Sequence, residues 1–353
     1  MRQVSLFCLA ACIAAGILSC NSSAGVDAPD TEVPSKMLSE RDSLREAIMK
    51  RPGARMIPVE TASGTYEVFT QRIGQSPTLK VLTLHGGPAT THELWEPFED
   101  HLPAAGIEFY YYDQLGSYYS DQPSDTALWT IPRFVDEVDQ VRKALGLGPD
   151  NFVLLGQSWG GILAMEYALE HQDALKGLVV SNMMSSIPDY NAYVMNQLAP
   201  KLPAAVRDTI LAIEEKEAYD DPRYMALLEE HYYPRHVYNA PLGEWEESAV
   251  RSLGHLNPDI YVYMQGPSEF GVKGNATLAE WDITDRLEEI SVPTLVIAGE
   301  EDTMDPAYLR MMSNKMGDAE YLLNPGGGHL VQYDSKETYY PGLISWLKGL
   351  DSE

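Results

Sequence analysis

Five short apolar runs, separated by stretches of helical periodicity, restrict this chain to a few folds. The runs are KVLTL, IEFYYYD, NFVLL, KGLVV and PTLVIAG. Before the third run, IPRFVDEVDQVRKALGL spaces its apolar residues as a helix does and closes on glycine. Runs that are apolar throughout are typical of strands buried on both faces. The pattern predicts an α/β domain in which a mostly parallel sheet carries helices on both faces.

Three further segments complete the predicted organisation. Residues 39–56 indicate a short helix that leads into the domain, and TYEVFTQRIG, at 65–74, alternates like an edge strand. Between 183 and 290 the chain is rich in Tyr, Met, Glu and Pro and shows no clear buried strand. We therefore expect a core formed by residues 55–182 and 291–350, with 183–290 as a helical cap over the strand ends.

The first twenty residues form a separate unit. Arg2 precedes an apolar stretch that is followed by small residues and Cys20. This layout is typical of a secretory signal peptide and is too short for a stable membrane-spanning helix. The ending ILSC resembles the bacterial lipobox, and an ordinary signal peptide cut nearby is the alternative. We expect an exported lipoprotein, lipidated at Cys20 and held at a bacterial membrane, in the periplasm or at the cell surface. Polar residues 21–38 would form a flexible tether.

Charge and cysteine content exclude several classes of partner and site. The net charge of −27 argues against nucleic acid or an anionic lipid surface, so the lipid anchor is the only expected membrane contact. Cys8, Cys12 and Cys20 are the only cysteines, and all belong to the leader. We therefore expect no disulfide framework and no cysteine nucleophile. No metal cluster or dinucleotide motif is visible, so we expect no cofactor.

The sequence GQSWGG, at 156–161, lies between the apolar run NFVLL and the helical stretch ILAMEYALEHQ. Gly156 and Gly160 allow a sharp turn with Ser158 at its apex. The N-terminus of the following helix favours a negative charge that develops near this serine. Ser158 is therefore a candidate nucleophile, and a helix-capping serine is the structural alternative.

A serine nucleophile needs a base, and the base needs an acid that orients it. In this strand–turn–helix architecture the order along the chain is Ser, then Asp or Glu, then His. His329, in the glycine loop NPGGGHLVQ, is the candidate base. After the last apolar run, GEEDTMDP offers Asp302 as our candidate acid, with Glu300 and Glu301 as weaker ones. Asp305 precedes proline, as turn and helix-cap residues do.

An oxyanion hole needs two backbone N–H donors aimed at the developing negative charge. One candidate is the amide of Trp159, which follows the nucleophile. The other comes from HGGP, at 85–88, where glycine lets the backbone approach a ligand closely. We assign this second donor to Gly87, and a simple turn is the alternative for the motif.

In combination, HGGP, YDQLG, GQSWGG, GEEDTMDP and GGGHL resemble the proline iminopeptidase family of α/β-hydrolases. YMQGPSEF and WDITDRL resemble a tricorn-associated aminopeptidase of broader specificity within that family. The resemblance covers about residues 55–350. It implies an α/β-hydrolase fold with a helical cap, and a serine peptidase that removes N-terminal residues from short peptides with a free N-terminus.

In the family, cap glutamates bind the free α-amino group of the substrate. The resemblance places this role on Glu269 in GPSEF and on Glu229 or Glu230 in LLEEHYY, with ordinary solvated acids as the alternative. Three positions depart from the family pattern: Ala89 replaces a common glycine, Tyr118 replaces the second glycine of DQxGxGxS, and Trp159 replaces Tyr or Phe. These changes leave open whether proline is the preferred first residue.

Two other functions remain open on this sequence. The same scaffold hosts carboxylesterases, lactonases and amidases, and a fold alone does not decide among them. A surface lipoprotein that binds peptides without cleaving them is a third reading, which the presence of Ser158, Asp302 and His329 disfavours. The sequence indicates no oligomeric state.

Overall fold

Eight strands form one sheet in the computed structural model, which describes residues 35–351. The order across the sheet is β1-β2-β4-β3-β5-β6-β7-β8. β2 runs antiparallel to both of its neighbours, and every other adjacent pair is parallel. The mostly parallel sheet predicted from the apolar runs is confirmed. The strands are β1 Ala54–Thr61, β2 Gly64–Ile73, β3 Lys80–Leu84, β4 Glu108–Asp113, β5 Phe152–Gln157, β6 Gly177–Ser181, β7 Thr294–Gly299 and β8 Ala319–Asn324.

One edge of the sheet differs from the prediction. The expected edge strand is β2, which pairs on both sides, and β1 forms the edge instead. The helix expected over 39–56 is α1, Ser35–Ile48, which ends before this strand begins. Pro52 cannot continue a helix, and Gly53 adopts a left-handed φ of 79° that turns the chain into β1. Pro58 lacks an N–H, which an edge strand tolerates.

Helices cover both faces of the sheet. Because side chains alternate along a strand, Leu82 and Leu154 point into one core, and Val81 and Leu155 into the other. α2 and α3 pack on the first core, and α1 and α12 on the second. The helices after α1 are α2 Ile131–Leu145, α3 Trp159–His171, α4 Ile187–Tyr193, α5 Ala204–Glu214, α6 Pro222–His231, α7 Tyr233–His236, α8 Glu247–Gly254, α9 Pro258–Met264, α10 Pro306–Lys315, α11 Val331–Asp334 and α12 Lys336–Gly349.

A helical insertion separates β6 from β7. It contains α4 to α9, where residues 183–290 are expected to form a cap. Its isolated β-bridge joins Ser186 to Asp282, near the two ends of the insertion. The candidate catalytic residues follow the carboxyl ends of β5, β7 and β8, the edge at which parallel α/β sheets carry their sites.

Candidate active site

Ser158 occupies the turn between β5 and α3 in a backbone conformation that few non-glycine residues adopt. Its φ is 56° and its ψ is −126°. Glycine is required on both sides. A Cβ at Gly156 would overlap the carbonyl oxygen of Gly160, and one at Gly160 would overlap that of Leu84. The structure therefore presents Ser158 on a tight, strained turn with 8% of its surface exposed.

The structure brings the predicted acid and base together. Asp302 Oδ1 lies 2.8 Å from His329 Nδ1, and both side chains are buried. Asp302 also accepts hydrogen bonds from Asn182 Nδ2 at 2.6 Å and from the Met304 amide at 3.1 Å. These donors hold the carboxylate toward the imidazole. The arrangement fixes Nδ1 as the protonated nitrogen of a neutral His329, which leaves Nε2 as the basic one.

The other acids of GEEDTMDP lie elsewhere. Glu300 accepts a hydrogen bond from the Gly326 amide at 3.0 Å, and Glu301 pairs with Arg235 at 3.1 Å. Asp305 caps α10 by accepting from the Ala307 amide at 2.8 Å. Among the four acids, Asp302 is the one that hydrogen-bonds the imidazole.

His329 Nε2 is buried and has no hydrogen-bond partner in the described part of the chain. Gln157, which precedes the serine, donates its side-chain amide to the His329 carbonyl at 3.1 Å and so ties the base loop to the nucleophile turn. Burial lowers the pKa of His329. The charge and hydrogen bond of Asp302 and the charge of Glu269 outweigh burial and raise that pKa above 6.5. The imidazole therefore stabilises a proton once it accepts one.

The HGGP loop lies against the nucleophile. A Cβ at Gly86 would come within 3.1 Å of the Ser158 Cβ, and Gly87 has a φ of 106° that favours glycine. The Trp159 amide opens α3, and the first amides of a helix have no partner within it. Gly87 and Trp159 remain predictions for the oxyanion hole, supported by the position of both segments beside Ser158.

His85 fixes the HGGP loop from inside the core. Its Nδ1 donates to the Gly86 carbonyl at 2.9 Å, and its Nε2 accepts from the Gln114 amide at 3.2 Å. Burial lowers the pKa of His85, so the ring is neutral, as these roles require. The Gln114 side chain in turn accepts from Trp159 Nε1 at 2.8 Å. The two predicted oxyanion segments are thus connected through one network.

Glu269 lies in the cap among tyrosines and acts electrostatically on the catalytic histidine. Tyr261 donates its hydroxyl to Glu269 Oε1 at 2.5 Å, and the Tyr190 hydroxyl donates to the Glu269 carbonyl at 2.8 Å. The charge of Glu269 contributes to the raised pKa of His329. Glu269 remains a predicted substrate-binding residue, supported by this effect on His329.

The structure distinguishes the two adjacent glutamates of α6. Glu229 is half-buried, its Oε1 has no partner within residues 35–351, and burial raises its pKa. Glu230 has 73% of its side chain exposed and lies 3.8 Å from His231 Nε2. Burial raises the pKa of Tyr233, and the charges of Glu269 and Glu229 raise it further. Glu229, not Glu230, therefore shares an environment with Glu269 around Tyr233.

Of the departures from the family pattern, Ala89 keeps a backbone conformation that favours glycine, and Tyr118 has a packing explanation. Ala89 adopts a left-handed φ of 62°, a conformation for which glycine is the common choice. Tyr118 stacks on His255 of the cap, with ring centroids 3.9 Å apart. Tyr119 donates its hydroxyl to Glu93 at 2.8 Å. These aromatic side chains fill the seam between core and cap.

Comparison with known proteins identifies the family. A family model described as the alpha/beta hydrolase fold matches residues 81–336. The proline iminopeptidase of Elizabethkingia meningoseptica is 50% identical over 301 residues, which cover 84% of this chain and 99% of that protein. The chain belongs to the proline iminopeptidase family. The resemblance carried by HGGP, GQSWGG and GGGHL is therefore confirmed.

Two solved structures agree with the fold. The chain matches VinJ with 30% identity and a TM-score of 0.77, covering 85% of this chain and 100% of VinJ. It matches the proline iminopeptidase of Mycobacterium smegmatis with 28% identity and a TM-score of 0.75, covering 84% of this chain and 98% of that one. The α/β-hydrolase fold expected from the resemblance is confirmed. Ser158, Asp302 and His329 remain the predicted triad, supported by the contact between Asp302 and His329.

Some site residues escape the sequence reasoning. Asn182 holds Asp302, and Gln157 holds the loop of His329. Asn182 belongs to none of the motifs, and Gln157 lies within GQSWGG without a predicted role. The available signal is position, because each lies at or just after the carboxyl end of a buried strand. Cys20, the predicted lipidation site, lies outside residues 35–351. No helix within these residues is long and apolar enough to cross a membrane.

Proposed function

We propose that this chain is a serine aminopeptidase that releases the first residue, proline above all, from short peptides through an acyl-enzyme. The observation that carries the proposal is a pair of cap carboxylates. Beyond the effect of burial, the charges of Glu269 and Glu229 both raise the pKa of Tyr233, and the charge of Glu269 also raises that of His329. A peptide ammonium is the ligand that matches a half-buried, unpaired carboxylate beside a serine–histidine–aspartate arrangement. Proline iminopeptidase relatives support the choice of substrate.

The predicted site residues would divide the steps of acyl transfer among them. Ser158 Oγ attacks the carbonyl of the first residue while His329 Nε2 takes its proton. Asp302 stabilises the resulting imidazolium through its contact with Nδ1. The amides of Gly87 and Trp159 would donate to the oxyanion. His329 then protonates the leaving nitrogen, and the C–N bond breaks. Water next attacks the acyl-enzyme while His329 takes its proton, and His329 returns that proton to Ser158 Oγ as the acyl group leaves.

The cap carboxylates explain why cleavage would stop after one residue. An ammonium held by Glu229 and Glu269 fixes the N-terminus close to the catalytic histidine, so the first carbonyl is the one presented to Ser158. A substrate without a charged amine would leave these carboxylates desolvated and without a counter-charge, which is costly. Esterase or lactonase activity needs no such pair.

The test is a panel of aminoacyl-arylamides, with proline and alanine, measured beside their N-acetylated forms and a simple aryl ester. We expect turnover of the free-amine substrates, fastest for proline, and its loss in Ser158→Ala. Cleavage of N-acetylated substrates at similar rates would refute the aminopeptidase. Ester hydrolysis without amide hydrolysis would indicate a carboxylesterase instead.

We also propose that the protein is exported and held at a membrane through lipidated Cys20, with the polar residues between Cys20 and α1 as tether; the expected tether of 21–38 is thus shortened at its end, because residues 35–38 belong to α1. The support is the sequence alone: an apolar leader, the ILSC ending and the polar stretch after it. Expression with a labelled fatty acid tests this. We expect label on the wild type and none on Cys20→Ala, whereas label on both would refute the assignment.

A further inference from the structure

One segment of the cap is hydrogen-bonded directly to the loop that carries the catalytic histidine. We call residues 233–239, which include α7, the cap strap. The His236 carbonyl accepts from the His329 amide at 2.8 Å, and the Val237 carbonyl accepts from the Leu330 amide at 2.8 Å. At its far end the Asn239 side chain donates to the Gly326 carbonyl at 2.8 Å. The base loop is therefore anchored along its length to the cap.

His236 also reaches the loop that carries the acid. Its Nδ1 lies 2.6 Å from the carbonyl oxygen of Glu301, the residue before Asp302. A carbonyl only accepts, so this nitrogen carries the proton. The His236 side chain is buried, and burial lowers its pKa, which keeps the ring neutral. One cap residue thus joins the acid loop through its side chain and the base loop through its backbone.

We infer that His236 is a positioning residue that sets the acid and base loops at the spacing in which Asp302 meets His329. The inference rests on the proposed reaction at Ser158. Asp302 and His329 follow different strands, β7 and β8, and their contact depends on the mutual placement of two loops. A small displacement of either loop would break the 2.8 Å contact without unfolding the strands.

The same segment connects this dyad to the cap carboxylates. Glu229 lies on α6, directly before the cap strap, and the Tyr233 hydroxyl within the strap accepts from the Glu269 amide at 3.3 Å. An ammonium bound by these glutamates would be held by groups that adjoin the cap strap. The cap strap, residues 233–239, thus joins the predicted amine site to the dyad.

The experiment compares His236→Ala with His236→Asn, whose side-chain amide places a donor near the position of Nδ1. We expect His236→Ala to lower kcat on prolyl-arylamide by about tenfold to a hundredfold, with KM changed much less. His236→Asn should recover most of the loss. If His236→Ala does not fold, His236→Gln takes its place. Its amide lies one bond farther from the Cα than that of Asn and so does not coincide with the position of Nδ1.

Arg235→Ala is the matched control. It lies on the same helix and removes the ion pair with the Glu301 side chain, while the Glu301 carbonyl keeps its donor. We expect its kcat to stay near that of the wild type. Thermal unfolding of every variant separates loss of fold from loss of rate. A folded His236→Ala with wild-type kcat, or a folded His236→Asn as slow as His236→Ala, would overturn the inference.

A fluorophosphonate probe separates this inference from the proposed substrate. Ser158 Oγ bonds to phosphorus, fluoride leaves, and the serine proton passes to His329, so labelling needs an activated serine but no amine. We expect the labelling rate to fall in His236→Ala and to recover in His236→Asn. Rapid wild-type labelling without arylamide cleavage would overturn the proposed function alone. A wild type that does not label would overturn both.

Discussion

Glu269→Gln removes the charge of the cap carboxylate while keeping its shape. In the structure Glu269 accepts from Tyr261 at 2.5 Å, and its charge acts on His329. A charge-assisted hydrogen bond to a substrate ammonium contributes about 1.5–3 kcal/mol. Since about 1.4 kcal/mol corresponds to a factor of ten, kcat/KM on prolyl-arylamide should fall by about tenfold to 150-fold.

For Glu269→Gln we also expect an independent effect on His329, the proposed base. Because the charge of Glu269 helps to raise the pKa of His329, its removal should lower that pKa. The acid limb of the kcat/KM profile should then move to lower pH. The assay is a pH series of initial rates on prolyl-arylamide and on an aryl ester, which has no amine to bind.

Glu230→Gln is the matched control, because Glu230 neighbours Glu229 in sequence but its side chain is 73% exposed. It should leave both substrates unaffected. An unchanged kcat/KM for the arylamide in Glu269→Gln would refute the role of Glu269. An equal loss on the ester would refute it as well, since that pattern indicates damage to the triad.

Three further predictions follow. Activity of the wild type should fall as pH drops through the raised pKa of His329, because only the neutral imidazole accepts the serine proton. Rates at constant substrate from pH 4 to 9 measure this, and full activity at pH 4 would contradict it. Gly156→Ala should destabilise the fold by about 2 kcal/mol or more, because its Cβ would overlap the Gly160 carbonyl. Urea unfolding measures the loss, and a variant as stable as the wild type would contradict this prediction. Burial raises the pKa of Glu93, but His255 and other neighbours outweigh burial and lower the pKa to about 2. Ionised Glu93 therefore contributes about 3 kcal/mol to the free energy of unfolding above pH 4.5, and this contribution is lost as pH falls toward 2. Glu93→Gln should flatten the acid limb of stability against pH, and an unchanged acid limb would argue against this contribution.

The sequence predicts the parts of the site that a local pattern encodes. The HGGP segment, the serine turn and GEEDTMDP each follow an apolar run, so a parallel sheet brings them to one edge without further information. The choice of Asp302 over Glu300 and Glu301 follows from the same reasoning, and the structure shows the corresponding contact. Local spacing was sufficient at these positions.

Other features depend on packing between distant segments. Both Glu229 and Glu230 fit the motif LLEEHYY, and only the orientation of α6 turns Glu229 inward. β1 escapes prediction because Pro58 weakens its strand signal, and its place at the edge depends on pairing with β2. The role of His236 depends on two carbonyl contacts across the cap boundary, which no spacing in the sequence indicates.

The electrostatics of the cap link selection of the substrate to its cleavage. In the free protein the charge of Glu269 favours the protonated form of His329, which is inactive as a base. On the proposed function, a bound ammonium would compensate that charge, lower the pKa of His329 and so populate the neutral base. A peptide with a blocked N-terminus would be a poor substrate for two reasons. It would desolvate the carboxylates without supplying a counter-charge, and it would leave His329 with its raised pKa. Selectivity for free N-termini then follows from charge compensation at Glu269, even where the pocket has room for a blocked peptide.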